Sequence, residues 1–147
     1  MRRRNKTKQT SKETDSGSKQ FAEQIKRLSE GLYYISETDA PILPFTGNKA
    51  EAVTKDEILR QTQSTAGTAV EERNFAETFA RLTQIQDWFG DEEKESAAKF
   101  DKLKSFLEQN LKDLKMFKIG TVQIKIYFVG LNADGNLTGI RTEAVET

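Results

Sequence analysis

The chain has 147 residues, which is enough for one domain with its own hydrophobic core and too few for two. It contains no Cys and no His, which excludes disulfides, thiolate and imidazole metal ligands, Cys nucleophiles and His-based acid–base catalysis. An enzyme of this composition would have to use carboxylates, Lys, Tyr or hydroxyl groups, so the composition favours a binding protein over an enzyme.

The formal net charge of zero hides an uneven distribution of charge along the chain. Residues 1–20 carry seven basic and two acidic side chains, a net charge of +5. Residues 21–147 carry 16 basic and 21 acidic side chains, a net charge of −5. An acidic domain repels phosphates, so we expect no direct binding of nucleic acid by the folded part. The charge favours a basic partner.

The N-terminal segment, residues 1–19, lacks Leu, Ile, Val, Phe, Tyr and Trp. Such a segment cannot bury enough apolar surface to offset its chain entropy, so the sequence predicts a disordered basic extension at 1–19 and a folded domain at 20–147. The extension would be a solubilising segment or, alternatively, a tether to nucleic acid or another acidic surface. No apolar run approaches the length of a membrane span or follows the basic start as in a signal peptide, so we expect no membrane partner and a cytoplasmic location.

The first half of the domain predicts alternating helices and strands. Four apolar residues recur at helical spacing, namely Phe21, Ile25, Leu28 and Leu32, and Gly31 is expected to end that helix. Residues 32–35 predict a strand, and residues 41–45, which include two prolines, predict an edge segment. The Thr-x-x-Glu pattern at 54–57 predicts a capped short helix, and residues 70–75 and 76–82 a strand and a further helix.

The second half predicts a long helix and a β-hairpin. Acidic residues at 91–93 suit the first turn of a helix, and an apolar stripe follows at Ala97, Phe100, Leu103, Phe106, Leu107, Leu111 and Leu114. Strict alternation predicts a strand with Val122, Ile124, Ile126 and Phe128 facing the core. Residues 132–136 predict a turn, and 137–145 the partner strand. This order of elements predicts an α+β sandwich with a mainly antiparallel sheet.

Three groups of acidic residues are candidate sites of chemistry. Residues 91–95 match no calcium-binding loop, and helix-dipole complementarity explains them better. Nothing in the sequence places Glu71 with Glu72, or Glu143 with Glu146, across a cleft as paired carboxylates. We therefore predict no catalytic residue, no cofactor and no metal site belonging to this chain.

Trp88 and Glu37 are open to two interpretations. Trp88 is the only Trp and lies just before the acidic start of the long helix. It is either an aromatic residue that packs back onto that helix or an anchor of a protein interface, where Trp is enriched. Glu37 lies in a short polar segment after a predicted strand, where it is either an ordinary surface carboxylate or part of the same interface.

A collinear set of residues closely resembles the nuclease A inhibitor family over about residues 21–147, most densely from Asp87 onward. The set comprises Gly31-Leu32, Ser36-Glu37, Asp87-Trp88, Asp91-Glu92-Glu93, Ala98-Lys99-Phe100, Asn110-Leu111-Lys112, Gly120, Tyr127, Gly130, Gly135-Asn136-Leu137, Gly139-Ile140 and Val145-Glu146-Thr147. The resemblance implies an α-β-α sandwich similar to that of pathogenesis-related-1 proteins. It also implies an inhibitor that is not itself an enzyme.

The resemblance further implies a partner and four contact residues. The partner would be a sugar-non-specific DNA/RNA endonuclease of the ββα-metal type, bound one-to-one by an inhibitor that is monomeric when free. The terminal carboxylate of Thr147 would reach the catalytic Mg²⁺ of the nuclease, with Glu146 beside it. Glu37 and Trp88 would make the other main contacts. The alternative is a protein-interaction module on the same scaffold with a different, non-nuclease partner.

Overall fold

A computed structural model of the chain describes residues 19–35, 37–64, 67–83 and 89–146. Residues 1–18 of the predicted disordered extension fall outside these ranges, whereas Lys19 is the first residue of α1. The described elements, in chain order, are α1 (19–29), β1 (Tyr33–Ile35), β2 (Asp39–Pro41), β3 (Leu43–Lys49), α2 (Lys55–Gln61), β4 (Val70–Asn74), α3 (Phe75–Thr83), α4 (Asp91–Asn110), β5 (Lys112–Ile119), β6 (Gln123–Leu131) and β7 (Asn136–Val145).

Five strands form the central sheet in the order β3-β7-β6-β5-β4, and every neighbouring pair is antiparallel. β1 and β2 form a separate two-stranded antiparallel ladder. The segment with two prolines begins at β2 and enters β3, which lies at an edge of the sheet as predicted, since a proline cannot donate to a second ladder. The longest strands, β6 and β7, lie inside the sheet.

Helices cover both faces of this sheet, so the fold is the predicted α+β sandwich. On one face α1, α3 and α4 enclose the first core, whose buried residues are Ile25, Leu32, Ile42, Phe75, Phe79, Phe100, Leu103, Leu107, Leu111, Met116, Ile124, Ile126, Phe128, Ile140 and Ala144. On the other face α2 covers the second core of Val53, Ile58, Phe117, Ile119, Tyr127, Val129 and Leu137. Because both faces of the sheet are covered, the inner strands place apolar side chains in both cores. Removing these side chains from water on each face stabilises the fold.

Aromatic rings join the helices to the sheet at the centre of the first core. The ring of Phe79 on α3 meets the ring of Phe128 on β6 edge to face, with centroids 5.1 Å apart. It meets Phe100 on α4 in the same geometry at 6.1 Å. Such pairs add roughly 0.5–1.5 kcal/mol beyond their buried area. The face of α4 that the helical periodicity predicts, with Phe100 on it, is therefore the face that packs against α3.

The prediction of the long helix was wrong at its C-terminal end. The apolar stripe continued through Leu111 and Leu114, but α4 ends at Asn110 and the next residues form β5. Leu111 is buried at the end of the helix, and Asp113 takes a positive φ of 56° where the β5–β6 register shifts. A strand here gains hydrogen-bonded ladders with both β4 and β6, a gain that local spacing cannot reveal.

The alternating pattern predicted the face of β6 that lies in the first core, but it was wrong for Val122 and Tyr127. Ile124, Ile126 and Phe128 are buried as predicted, whereas Val122 precedes the strand and is 50% exposed. Tyr127, predicted on the polar face, is buried because α2 covers that face too.

Two glycines allow the chain to follow this path. Gly31 has a φ of +77° and ends the turn after α1, as predicted. Gly139 lies on β7 where a Cβ atom would be 2.0 Å from the Phe128 carbonyl oxygen, so a side chain would force β6 and β7 apart. The backbone geometry at both positions therefore favours glycine.

Candidate functional site

The antiparallel register brings distant parts of the chain to one end of the sheet, here called the tail end. β5 and β7 end there and β6 begins there, because Ile119 pairs with Lys125 and Gln123 pairs with Val145. The described parts of the tail end are the β1–β2 turn at 37–38, the start of α4 at 90–93, the β5–β6 turn at 120–122 and the end of β7 at 145–146.

Glu37 lies in the turn of the β1–β2 hairpin, which packs beside the C-terminal part of β7. The Thr142 hydroxyl donates to the Pro41 carbonyl at 3.0 Å and lies 3.4 Å from the Ala40 carbonyl oxygen. Since β3 runs antiparallel to β7 from the Leu43–Arg141 pair, the hairpin that precedes β3 lies toward the end of β7. The exposed Glu37 therefore belongs to the tail end.

The start of α4 reaches the same end from the other direction. Asn110, the last residue of α4, lines a shallow depression with residues 132–134 at the opposite end of the sheet. A helix of 20 residues is about 30 Å long, so α4 begins far from that depression. A Cβ atom on Gly31 would lie 3.9 Å from the Lys99 Nζ atom, so the middle of α4 passes close to the segment between α1 and β1.

The first turn of α4 is acidic and capped by the chain itself. Gly90 is the N-cap, and its N–H donates to the Glu93 carboxylate at 3.0 Å. Asp91, Glu92 and Glu93 are exposed in this turn, where their charge complements the helix dipole, as predicted. Trp88 lies two residues before the cap in the sequence and outside the described residues, so its role stays a prediction.

The end of β7 is fixed by both backbone and side-chain contacts. The Glu146 N–H donates to the Val122 carbonyl at 2.9 Å, one position beyond the last ladder pair. The Lys118 Nζ atom donates to the Glu146 Oε1 atom at 2.9 Å. Lys118 is 13% exposed and Glu146 50% exposed in their side chains. Thr147 follows Glu146 and lies outside the described residues, so its predicted role also stays a prediction.

Carboxylates dominate the exposed charge of the tail end. They lie on all three elements, at Glu37, Asp39, Asp91, Glu92, Glu93 and Glu146. Glu143 lies with the exposed Lys125 and Arg141 on the α2 side of the sheet, in phase with Tyr127. Within the described residues, no group of three or more acidic side chains is arranged to hold a metal ion.

A second surface near this end was missed by the sequence reasoning. An open groove of about 740 Å³ lies between the end of α1 and the β2–β3 edge. Tyr33 and Leu43 line it while remaining 50% and 39% exposed, and Arg141 lies at its rim. The only sequence signal was the pair of exposed-edge prolines, which predicts an unpaired strand edge but not the apolar side chains beside it.

Tyr127 also takes a role that the alternation did not reveal. Burial raises the pKa of its phenol, and the nearby Arg141 guanidinium opposes that shift. It packs edge to face on Phe45 with ring centroids 5.3 Å apart. Tyr127 therefore links the second core to the small polar pocket that Lys125, Arg141 and Glu143 also line.

No helix in the described ranges is both long and apolar enough to cross a membrane. The chain finds no match among curated proteins. The family model described as nuclease A inhibitor-like protein matches residues 19–147, which include every described element of the fold. The chain therefore belongs to the nuclease A inhibitor-like protein family.

Proposed function

We propose that this protein inhibits a metal-dependent DNA/RNA endonuclease by placing its tail end in the active-site cleft of that enzyme. The observation that carries the proposal is that the Glu37 hairpin, the start of α4 and the end of β7 lie toward one end of the sheet. These elements are far apart in the sequence, and each is adjacent to a predicted contact residue. A surface built this way matches the inhibitor role that the family implies.

The charge of the tail end supports the same partner. A nuclease binds a polyanion, so its cleft is basic and holds a hard cation near the scissile phosphate. Exposed carboxylates on all converging elements of the inhibitor would be attracted to such a cleft and would speed association at low salt. Because residues 21–147 carry a net charge of −5, the domain as a whole would also be attracted to a basic cleft.

The finer mechanism gives each predicted residue one role. The α-carboxylate of Thr147 takes an Mg²⁺ coordination position that a substrate phosphate oxygen would otherwise occupy. Glu37 pairs with a basic side chain that binds substrate, and Trp88 fills an apolar patch beside the cleft. The complex is one-to-one, its nuclease is sugar-non-specific and of the ββα-metal type, and this chain performs no chemistry.

The test is a plasmid-degradation assay with a sugar-non-specific ββα-metal nuclease, titrated with the full-length protein. We expect stoichiometric inhibition by the full chain and none by a variant that lacks Glu146 and Thr147. Asp134→Asn is the matched control, because Asp134 is an exposed carboxylate at the opposite end of the sheet. Absence of inhibition by the full chain would overturn the proposal. Equal inhibition by the truncated chain would overturn the tail mechanism.

The exposed groove beside β3 favours the alternative, a protein-interaction module with a non-nuclease partner. Its apolar residues Tyr33 and Leu43 suit a protein contact rather than a polyanion cleft. Native co-purification that recovers only non-nuclease proteins, and loses them with Leu43→Ser, would favour this function. Recovery of a nuclease that Leu43→Ser still binds would exclude the groove as the main contact.

A further inference from the structure

The β5–β6 turn at residues 120–122 carries an apolar side chain that the fold leaves open to solvent. Val122 is 50% exposed, although the alternating pattern predicted it in the first core. In the part of the chain that the structure describes, the other exposed large apolar side chains are Tyr33 and Leu43, and both line the groove beside β3. Single exposed apolar residues are ordinary on protein surfaces, so the position of Val122 decides whether it has a role.

Val122 lies directly beside the end of β7. Its carbonyl oxygen accepts from the Glu146 N–H at 2.9 Å, one position beyond the Gln123–Val145 ladder pair. Neighbouring strands lie about 5 Å apart, whereas an ordinary protein interface covers about 800 Å² of each partner, a patch roughly 30 Å across. A partner surface that contacts the end of β7 at this end of the sheet therefore extends over Val122.

The turn that carries Val122 is anchored on both sides. The Gly120 N–H donates to the Ala69 carbonyl at 2.9 Å, just before β4, and the Val122 carbonyl is bonded to Glu146 after β7. The turn also joins β5 and β6, which are neighbours inside the sheet. Backbone that is fixed before binding loses less conformational entropy in a complex, so a contact made by Val122 costs less to form.

Polar and charged side chains surround Val122. Its chain neighbours Thr121 and Gln123 are exposed, and next to the turn the Lys118 Nζ atom donates to the Glu146 Oε1 atom at 2.9 Å. Protein interfaces commonly place an apolar contact inside such a polar rim, where the partner excludes water from it. Contact with a partner would bury the exposed half of the Val122 side chain, which favours association through the hydrophobic effect.

We propose that Val122 is a contact residue of this inhibitor and packs against an apolar patch on the rim of the nuclease cleft. This inference rests on the proposed function and on the bond that places Val122 beside Glu146. It adds the β5–β6 turn to the Glu37 hairpin, the start of α4 and the end of β7 as a fourth contact element. The chemistry it requires of the partner is a small apolar surface beside the basic residues that bind phosphate.

The first test is the inhibition constant of Val122→Ala against a sugar-non-specific ββα-metal nuclease. The change removes two carbon atoms from a half-exposed side chain, so inhibition should weaken by about 4- to 15-fold. Leu43→Ala is the matched control, because Leu43 has a similar exposure of 39% but lines the groove. It should leave the inhibition constant unchanged. Equal inhibition by the wild type and Val122→Ala would overturn the inference.

The second test measures burial of the side chain directly. The chain contains no Cys, so Val122→Cys and Leu43→Cys each introduce a single thiol. The rate of alkylation by iodoacetamide, followed by mass spectrometry of the inhibitor, should fall by about 10-fold or more for Val122→Cys when excess nuclease is added, because the interface excludes the reagent. The rate for Leu43→Cys should not change. Alkylation of Val122→Cys at the same rate with and without nuclease would contradict the proposed contact.

The two tests separate this inference from the proposed function. Absence of inhibition by the wild type would reject the proposed function, and the contact at Val122 with it. Inhibition by the wild type, together with an unprotected thiol in Val122→Cys, would overturn the contact alone. The substitutions should preserve the fold, because Val122 is half exposed and its bond to Glu146 is made by the backbone. Thermal midpoints equal to that of the wild type check this expectation.

Discussion

The two ends of the central sheet differ in how their polar groups are satisfied. At the Asn132 end, the turn between β6 and β7 is closed mainly by its own residues, and the Ala50 N–H also donates to the Gly135 carbonyl at 3.0 Å. The Asn132 Oδ1 atom accepts from the N–H groups of Asp134 at 3.0 Å and Asn136 at 2.9 Å. At the tail end, contacts join residues distant in sequence, such as Lys118 to Glu146 and Thr142 to Pro41. The polar groups of the β6–β7 turn are thus satisfied mostly by local bonds, whereas the side-chain contacts of the tail end join elements distant in sequence.

The largest expected effect comes from lengthening the chain at the tail end. Adding Gly-Ser-Gly after Thr147 should weaken inhibition by at least about 30-fold, or about 2 kcal/mol, since the α-carboxylate would move away from the metal. Thr147→Ala should be milder, because it retains the carboxylate. The measurement is the nuclease inhibition constant, with the thermal midpoint as a check on folding. Inhibition by the extended protein equal to that of the wild type would exclude the metal contact.

Trp88→Ala separates the two interpretations of that residue. If Trp88 is an interface anchor, its truncation to Ala should weaken binding by about 2 kcal/mol, with little change in the free energy of unfolding. As a residue packed on α4, its loss should lower the unfolding free energy and leave the binding free energy nearly unchanged. Isothermal titration calorimetry and denaturant unfolding, performed on the same protein, give the two quantities directly.

Asn132→Ala tests the opposite end. Two backbone N–H groups would lose their acceptor, which should lower the free energy of unfolding by about 1–2 kcal/mol. Nuclease inhibition should not change. Asp134→Ala is the control, because Asp134 enters this network through its backbone N–H. A loss of inhibition by folded Asn132→Ala protein would show that the Asn132 end also contributes to inhibition, contrary to the proposal.

The smallest effect is expected from Tyr127, which lies between the two ends. Burial raises the pKa of its phenol, so the fold favours the neutral form. That contribution is fully present below the usual pKa of about 10 and is lost as the pH rises through the folded-state pKa. Thermal midpoints from pH 8 to 11 should therefore fall more steeply for the wild type than for Tyr127→Phe. Equal slopes would show that Tyr127 titrates as if exposed.

Much of the fold follows from local patterns. The capping pattern at Thr54 was correct, and its hydroxyl accepts from the Glu57 N–H at 3.2 Å. The spacing of Phe21 and Ile25 and the alternation in β6 also predicted the right elements. β5 was missed because Leu111 and Leu114 continue a helical spacing by coincidence. Only pairing with β4 and β6 makes that segment a strand.

The sequence by itself determined the types of most elements, the acidic charge of the domain and the family resemblance, because these depend on spacing and composition. The tertiary structure decided that the Glu37 hairpin packs beside β7 and that α4 begins toward the same end of the sheet, since both depend on strand order and register. It also decided that Glu146 pairs with Lys118, 28 positions away. A side chain's partners are set by which strand lies beside its own, and antiparallel pairing brings together residues that no local pattern connects.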